Sequence, residues 1–302
     1  MLKRLRTIAR QILNPYLTIE SHMDHIKENQ GLILSELNKK KFEKDIKYYE
    51  FKIFSQWGED GIIQHLTQVV DIKNKTFIEF GVEDFFESNC RYLMTKDSWS
   101  GYVIDGSPRN IARLKNSHFF WKHQLEANCA FITRSNINGL LEQSGFDYDL
   151  GILSIDIDGM DYFVLEAISN YKPRILICEF NPVFGATRKV SVPYEDNFNR
   201  TRAHYSNLYG GASLAAVTHL ANEKGYSLVG TNSAGQNAFF VRQDLVNENL
   251  MVLTAEEAYT HPNFRESRDL KGSLNFLSGQ HRLNEIRGLP ILNVETDELE
   301  TL

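Results

Sequence analysis

The stretch SIDIDGMDYF, residues 154–163, sets three aspartates within six positions, directly after the apolar run LGIL. Acids are unfavourable inside a buried strand. Either the strand ends here and its acids face a site, or the segment is an ordinary polar loop. Side chains alternate along a strand, so Asp156 and Asp158 share one face, as do Glu179 and Asn181 at the end of PRILICEFN. Carboxylates grouped in this way can take a proton from a substrate, or bind a hard cation through oxygen. Asp156 could instead cap the following helix. Asp161 suits that helix's first turn, where an acid meets the positive end of the dipole.

The elements that would position these acids are legible. TFIEFGV (76–82), SGYVIDG (100–106), DLGILSIDID (149–158) and PRILICEFN (173–181) are short apolar runs that each end in an acid or amide. ANCAFIT (127–133) is a weaker run of the same kind. Separated by segments that can be helical, such runs fit strands buried on both faces of a parallel sheet. Further on, YSLVGT and NAFFVR are joined only by NSAGQ, too short for a parallel crossover, so they form an antiparallel hairpin.

The chain has 302 residues, 42% hydrophobic and 24% charged, the balance of an ordinary globular protein. Its net charge of -6 argues against a general nucleic-acid binder. Cys90, Cys129 and Cys178 lie far apart, which excludes a zinc ribbon or a disulfide framework and suits a reducing cytoplasm. No apolar run approaches the roughly 18 residues of a spanning helix, and no signal-peptide pattern is present.

Three parts follow: a helical arm over 1–50, a domain over 51–245, and a charged, helix-prone extension over 246–302 with Pro262 and Pro290 as breakers. In MLKRLRTIARQIL, Leu2, Leu5, Ile8 and Ile12 share a helical face surrounded by Lys3, Arg4, Arg6 and Arg10. Such a helix suits peripheral contact with an anionic membrane face, or a solvated or domain-packed position. Pro15 interrupts it. Ile19, Met23, Ile26, Gln30, Ile33 and Leu37 then alternate at spacings of four and three, the a/d pattern of a short coiled coil and hence of a homo-oligomer. Gln30 and the neighbouring Gly31 weaken that pattern.

The stretches SQWGEDGII (55–63), FIEFGVEDFFESN (77–89), YVIDGSP (102–108), LSIDIDGMDYFVLEAI (153–168), ICEFNP (177–182) and YGGASL…KGYSLVGTNSAGQNAFFVR (209–242) occur in that order. Together they resemble the FkbM-type branch of the class I S-adenosylmethionine-dependent methyltransferases, over roughly residues 51–245. The resemblance implies a Rossmann-like α/β fold, a mostly parallel seven-stranded sheet closed by an antiparallel hairpin. A dehydrogenase-type domain would continue in parallel and carry G-x-G-x-x-G, which is missing.

The resemblance also implies where S-adenosylmethionine would bind. Glu79 and Gly81 would form the cofactor loop, the glycine for close backbone approach and the carboxylate for the methionine ammonium. Asp105 would hold the ribose hydroxyls, Ser107 the adenosine pocket, and Asn128 the adenine edge, with Asp156 closing the site. One departure stands out: the second glycine of the usual loop is replaced by Glu83, followed by Asp84.

With the fourth and fifth strands side by side, as the resemblance places them, Asp156, Asp158, Glu179 and Asn181 would converge. Two chemistries fit. The four could bind Mg²⁺ or Mn²⁺, which would lower the pKa of a substrate hydroxyl. Alternatively one carboxylate, Asp158, acts as general base without metal. His204 is a further candidate base, in the long segment 182–211 that also carries Tyr194, Arg200, Arg202, Tyr205 and Tyr209. The expected activity is methyl transfer to a hydroxyl of a sugar, surface polysaccharide, glycolipid or related small molecule. The competing expectation, from Glu83, is a non-catalytic methyltransferase-like scaffold that oligomerises through its N-terminal helix.

Overall fold

A computed structural model describes the backbone of residues 2–302, and side chains from residue 19 onward. Strands β1 (Thr76–Phe80), β2 (Ser100–Asp105), β3 (Leu125–Cys129), β4 (Ile152–Ile155) and β5 (Ile175–Glu179) are the five apolar runs of the sequence. After β6 (Val190–Ser191) come β7 (Tyr226–Thr231) and β8 (Asn237–Arg242), then β9 (Pro290–Asn293) and β10 (Glu298–Thr301). The helices are α1 (Leu2–Asn38), α2 (Glu59–Val69), α3 (Arg91–Asp97), α4 (Pro108–Lys115), α5 (Ile137–Glu142), α6 (Asp161–Ala167), α7 (Arg200–Ala203), α8 (Leu214–Glu223), α9 (Ala255–Ala258) and α10 (Gln280–Glu285).

The main sheet has seven strands in the order β3-β2-β1-β4-β5-β8-β7. β3, β2, β1, β4 and β5 are mutually parallel, and β8 runs antiparallel to both β5 and β7. This is the Rossmann-like plan expected from the sequence. Alternation of side chains splits the core into two layers. Ile78, Phe80, Leu153, Ile155, Leu176 and Phe240 pack on one face, and Phe77, Val103, Ile152, Ile175, Ile177 and Phe239 on the other. Strand order reverses between β1 and β4, where ligands bind in open α/β sheets beyond the carboxyl ends of the strands.

The SQWGEDGII segment is part of the framework. Asp60 Oδ2 accepts hydrogen bonds from the amides of Ile53, Phe54 and Ser55 at 2.7–2.8 Å, gathering the chain before α2. Glu59 is fully buried and accepts from Asn232 Nδ2 (2.6 Å), Asn237 Nδ2 (3.0 Å) and the amides of Trp57 and Gly58. It thereby ties α2 to the β7–β8 hairpin.

Residues 246–302 depart from the helix-prone expectation. They form two helices of four and six residues and a β9–β10 hairpin that pairs with β6 in a separate three-stranded antiparallel sheet. Gly272, Gly279 and Gly288, all at positive φ, interrupt any helix through the second half of the segment. The N-terminal helix is continuous through Pro15, in place of the expected interruption. The side chains of the basic segment 1–13 lie outside the described residues, so its proposed membrane-facing surface does too. No helix among the described residues is long and apolar enough to cross a membrane.

Candidate functional site

A single cavity of about 470 Å³ opens over the carboxyl ends of β1, β2, β4 and β5. Glu79, Gly81, Asp105, Asp156, Asp158, Glu179 and Asn181 all line it. Ser107, Asn128 and His204 do not.

At the end of β1, Glu79 shares a strand face with Phe77 and is buried beneath the start of α3. Its Oε1 accepts from the Asn89 amide (2.8 Å), and its Oε2 from Ser88 Oγ (2.7 Å) and the Cys90 amide (3.1 Å). Burial pushes its pKa up, and these three hydrogen bonds pull the other way. Two residues on, Gly81 turns the chain at φ +68°.

The turn continues through Glu83 at φ +48° and Phe85 at φ +62°. Position 83 thus keeps a backbone conformation that favours glycine although it carries glutamate, at a cost of roughly 1–2 kcal/mol. The Glu83 amide donates to Asp105 Oδ2 at 2.9 Å, while Asp105 Oδ1 accepts from the Ser107 amide (2.8 Å) and Asn110 Nδ2 (3.3 Å). The Glu83 side chain lines the cavity, its pKa raised by burial and then by Asp84, Asp105 and Asp158. Ser107 caps α4, its Oγ accepting from the Asn110 amide. Asn128 donates to Tyr102 Oη and Gln143 Oε1. Beyond β3 the wall is instead Phe131 and Ile132, the phenylalanine ring half-exposed.

The acids of β4 and β5 divide into three roles. Asp156 and Glu179 stand at the ends of the paired strands β4 and β5, close enough for each to shift the other's protonation. Burial, then repulsion from Asp161 and Asp158, pushes Asp156 up to about 8. Burial and the Asp156 charge push Glu179 in the same direction. Two carboxyls this close share a proton rather than both ionise. Asp161, at the start of α6, accepts from the Ile157 amide (2.8 Å) and the Gly159 amide (3.0 Å), and so closes the loop that carries Asp158. Asp158 stands at φ +60°, its side chain 70% exposed and 3.2 Å from Arg200 Nη1. Asn181 uses its amide in the loop after β5: Oδ1 accepts from Val183 N, and Nδ2 donates to the carbonyls of Leu208 (2.9 Å) and Gly210 (2.7 Å). Of the four groups expected to converge, Asp156 and Glu179 are therefore the two that act on each other directly. Among the described residues, no group of three or more His, Cys, Asp and Glu side chains is disposed to hold a metal ion.

Other wall residues come from parts of the chain where the sequence carries no motif. Arg200, at the start of α7, is joined by Phe264, Glu266 and Arg282 of the C-terminal segment. Arg200 Nη2 lies 3.7 Å from Glu266, and the Arg282 guanidinium sits over the Phe264 ring, 4.9 Å from its centroid. Phe264 stacks on Trp57, whose Nε1 donates to Gln236 Oε1. The tyrosines of the 182–211 loop pin it down: Tyr205 Oη donates to Glu285, Tyr209 Oη donates to the Pro290 carbonyl, and Tyr194 Oη accepts from the Arg134 amide (3.1 Å). His204 pairs through Nδ1 with Ser206 Oγ (2.7 Å), and burial lowers its pKa. The aromatic Phe131 just after β3, in the run ANCAFIT, was the sequence signal that could have marked this wall.

No protein-family model and no curated protein sequence matches the chain. Solved structures do. An S-adenosylmethionine-dependent methyltransferase from Clostridium acetobutylicum aligns over 61% of this chain and 89% of its own, at 9% identity and a TM-score of 0.40. An O-methyltransferase family protein from Burkholderia thailandensis aligns over 61% and 57%, at 11% identity and a TM-score of 0.36. A SAM-dependent methyltransferase from Aquifex aeolicus aligns over 63% and 89%, at 9% identity and a TM-score of 0.33.

Proposed function

We propose that this chain is an S-adenosylmethionine-dependent methyltransferase whose acceptor is a hydroxyl group, of the kind offered by a sugar or glycan. The observation that carries the reading is the Asp156–Glu179 carboxyl pair, set in one cavity wall with the Gly81 turn and Asp105. The cavity, about 470 Å³, is within the usual range for a cofactor site.

The residues present fit the cofactor's adenosine end. Asp105 Oδ2 accepts one protein hydrogen bond and keeps a lone pair for a ribose hydroxyl. The Phe131 ring offers the adenine a flat apolar surface. At the other end, Glu83 suits the methionine ammonium. When bound, S-adenosylmethionine would supply an activated methyl on a sulfonium centre.

This chain's own residues would prepare the acceptor. The ionised member of the Asp156–Glu179 pair would take the proton of the acceptor hydroxyl. A carboxyl poised near neutrality is a better base at physiological pH than an ordinary carboxylate. Arg200, held between Asp158 and Glu266, would donate hydrogen bonds to the rest of a polyhydroxyl acceptor. The base thus assigned is the Asp156–Glu179 pair, with Asp158 as the anchor of Arg200.

Calorimetric titration with S-adenosylmethionine and S-adenosylhomocysteine, with and without EDTA or Mg²⁺, tests this. Micromolar binding, about -8 kcal/mol, is expected with or without chelator and is lost in Asp105→Ala. No heat with either ligand under any condition would overturn the proposal.

A further inference from the structure

Helix α1 packs its polar face against its own domain and leaves an apolar stripe outside. Asp24 pairs with Arg91 and with His118 Nε2 (3.0 Å), Ser35 Oγ meets Tyr92 Oη (3.2 Å), and Asn38 Nδ2 donates to the Tyr49 carbonyl. Gly31 lies on the Tyr92 side chain, where a Cβ would come within 2.6 Å of two ring carbons and the hydroxyl oxygen. The glycine that weakens the coiled-coil pattern in the sequence is the residue that lets the helix dock. Ile19, Met23, Ile26, Ile33 and Leu37, by contrast, are 49–64% exposed. At about 100° per residue they lie roughly 130° around the helix from the docked face.

The same alternation of three and four runs on in the sequence through Tyr16, Ile12, Ala9, Leu5 and Leu2, along a backbone that is helical from Leu2 to Asn38. Gln30 is the one amide in an otherwise apolar or aromatic series. The repeat discriminates between occupants. A straight helix drifts by about 20° per heptad against a 3.5-residue repeat, so over five heptads this stripe rotates by roughly 100°. A flat lipid surface would lose contact with part of such a stripe. Another helix with the same repeat follows it by supercoiling, and a second copy of this chain carries that repeat. The a, d, e and g positions supply about twenty residues a side, the lower end of what a stable interface uses.

We propose that α1 is a self-association helix, and that copies of this chain join along the seam of Ile19, Met23, Ile26, Gln30, Ile33 and Leu37. The inference stands apart from the reading of the cavity. Sedimentation equilibrium of the full chain should give a multiple of the 34.8 kDa chain mass. The double variant Ile26→Asp/Ile33→Asp should give the single-chain mass with an unchanged thermal melt, since neither side chain supports the domain. Leu32→Asp, equally apolar and exposed but off the seam, should keep the wild-type mass. A single-chain mass for the wild type overturns the proposal, as does an unchanged mass for the double variant or dissociation by Leu32→Asp. So does a monomer that floats with phosphatidylglycerol vesicles and loses that property in the double variant, which would make the stripe a lipid-binding face.

Discussion

Gly81 and Asp156 are in backbone contact: a Cβ built on Gly81 would stand 1.6 Å from the Asp156 carbonyl oxygen. The turn after β1 and the end of β4 are therefore fixed relative to each other by the absence of a side chain. The φ of +68° adds a second reason for glycine.

Gly81→Ala should accordingly be among the most damaging single substitutions. It forces β1 and β4 apart at their carboxyl ends and should destabilise the fold by about 3 kcal/mol or more. Thermal unfolding would register the loss, and calorimetry on any folded fraction should show weakened S-adenosylmethionine binding. A melt within a degree of wild type would contradict the packing.

The carboxyl pair predicts a pH profile. Asp156 is raised to about 8, so its base form accumulates only as pH climbs toward that value, and methyl transfer should rise with pH up to about 8. Asp156→Asn should lower kcat by about 10²–10⁴-fold and abolish that limb.

Stability should move the opposite way. Between the ordinary carboxylate range and about 8, the unfolded chain has lost the Asp156 proton while the folded chain retains it. The folded form therefore binds more protons, and stability falls as pH rises through this window. Asp156→Asn removes the penalty and should raise Tm by a few degrees at pH 8 while changing it little at pH 4. Melts of both proteins across that range would decide it.

The two ends of the cavity should separate kinetically. Phe131→Ala should weaken S-adenosylmethionine binding by about tenfold, the effect of losing one stacked aromatic surface, with the acceptor KM little changed. Arg200→Ala should do the reverse, raising the acceptor KM while leaving cofactor affinity intact. Equal effects of both variants on both ligands would sink this division.

Arg91 is buried, with its guanidinium 3.9–4.0 Å from the ring centroids of Phe119 and Phe54, and its ionic partner is Asp24 of α1. Asp24→Ala leaves that cation without its counter-charge and should cost about 3–5 kcal/mol in a denaturant titration. Arg91→Met in the same background should recover much of the loss, because the apolar surroundings accept a thioether.

The sheet was legible because strands buried on both faces are written as local apolar runs, and the short NSAGQ link dictates the reversal between β7 and β8. The acid-bearing strand ends were legible for the same reason. Asp161 could be placed from its position in a helical turn. The pairing of Asp158 with Arg200, the consumption of Asn181 by its own loop, and the return of Phe264 and Arg282 to the cavity were not. Each depends on contacts between segments tens of residues apart that carry no periodic signal. The outward stripe of α1 was visible as a spacing, but only packing shows that its other face is already taken.

The small sheet has an entropic consequence for the cavity. The segment between β5 and α8 is held part-way along its length, where β6 pairs with β9. Closing one long loop and closing two shorter ones differ in conformational freedom, since a flexible chain's spread grows with its length. The pin leaves the stretch bearing Arg200 with a shorter tether. It also makes the last strands of the chain, far from any reactive group, a determinant of how sharply that guanidinium is aimed.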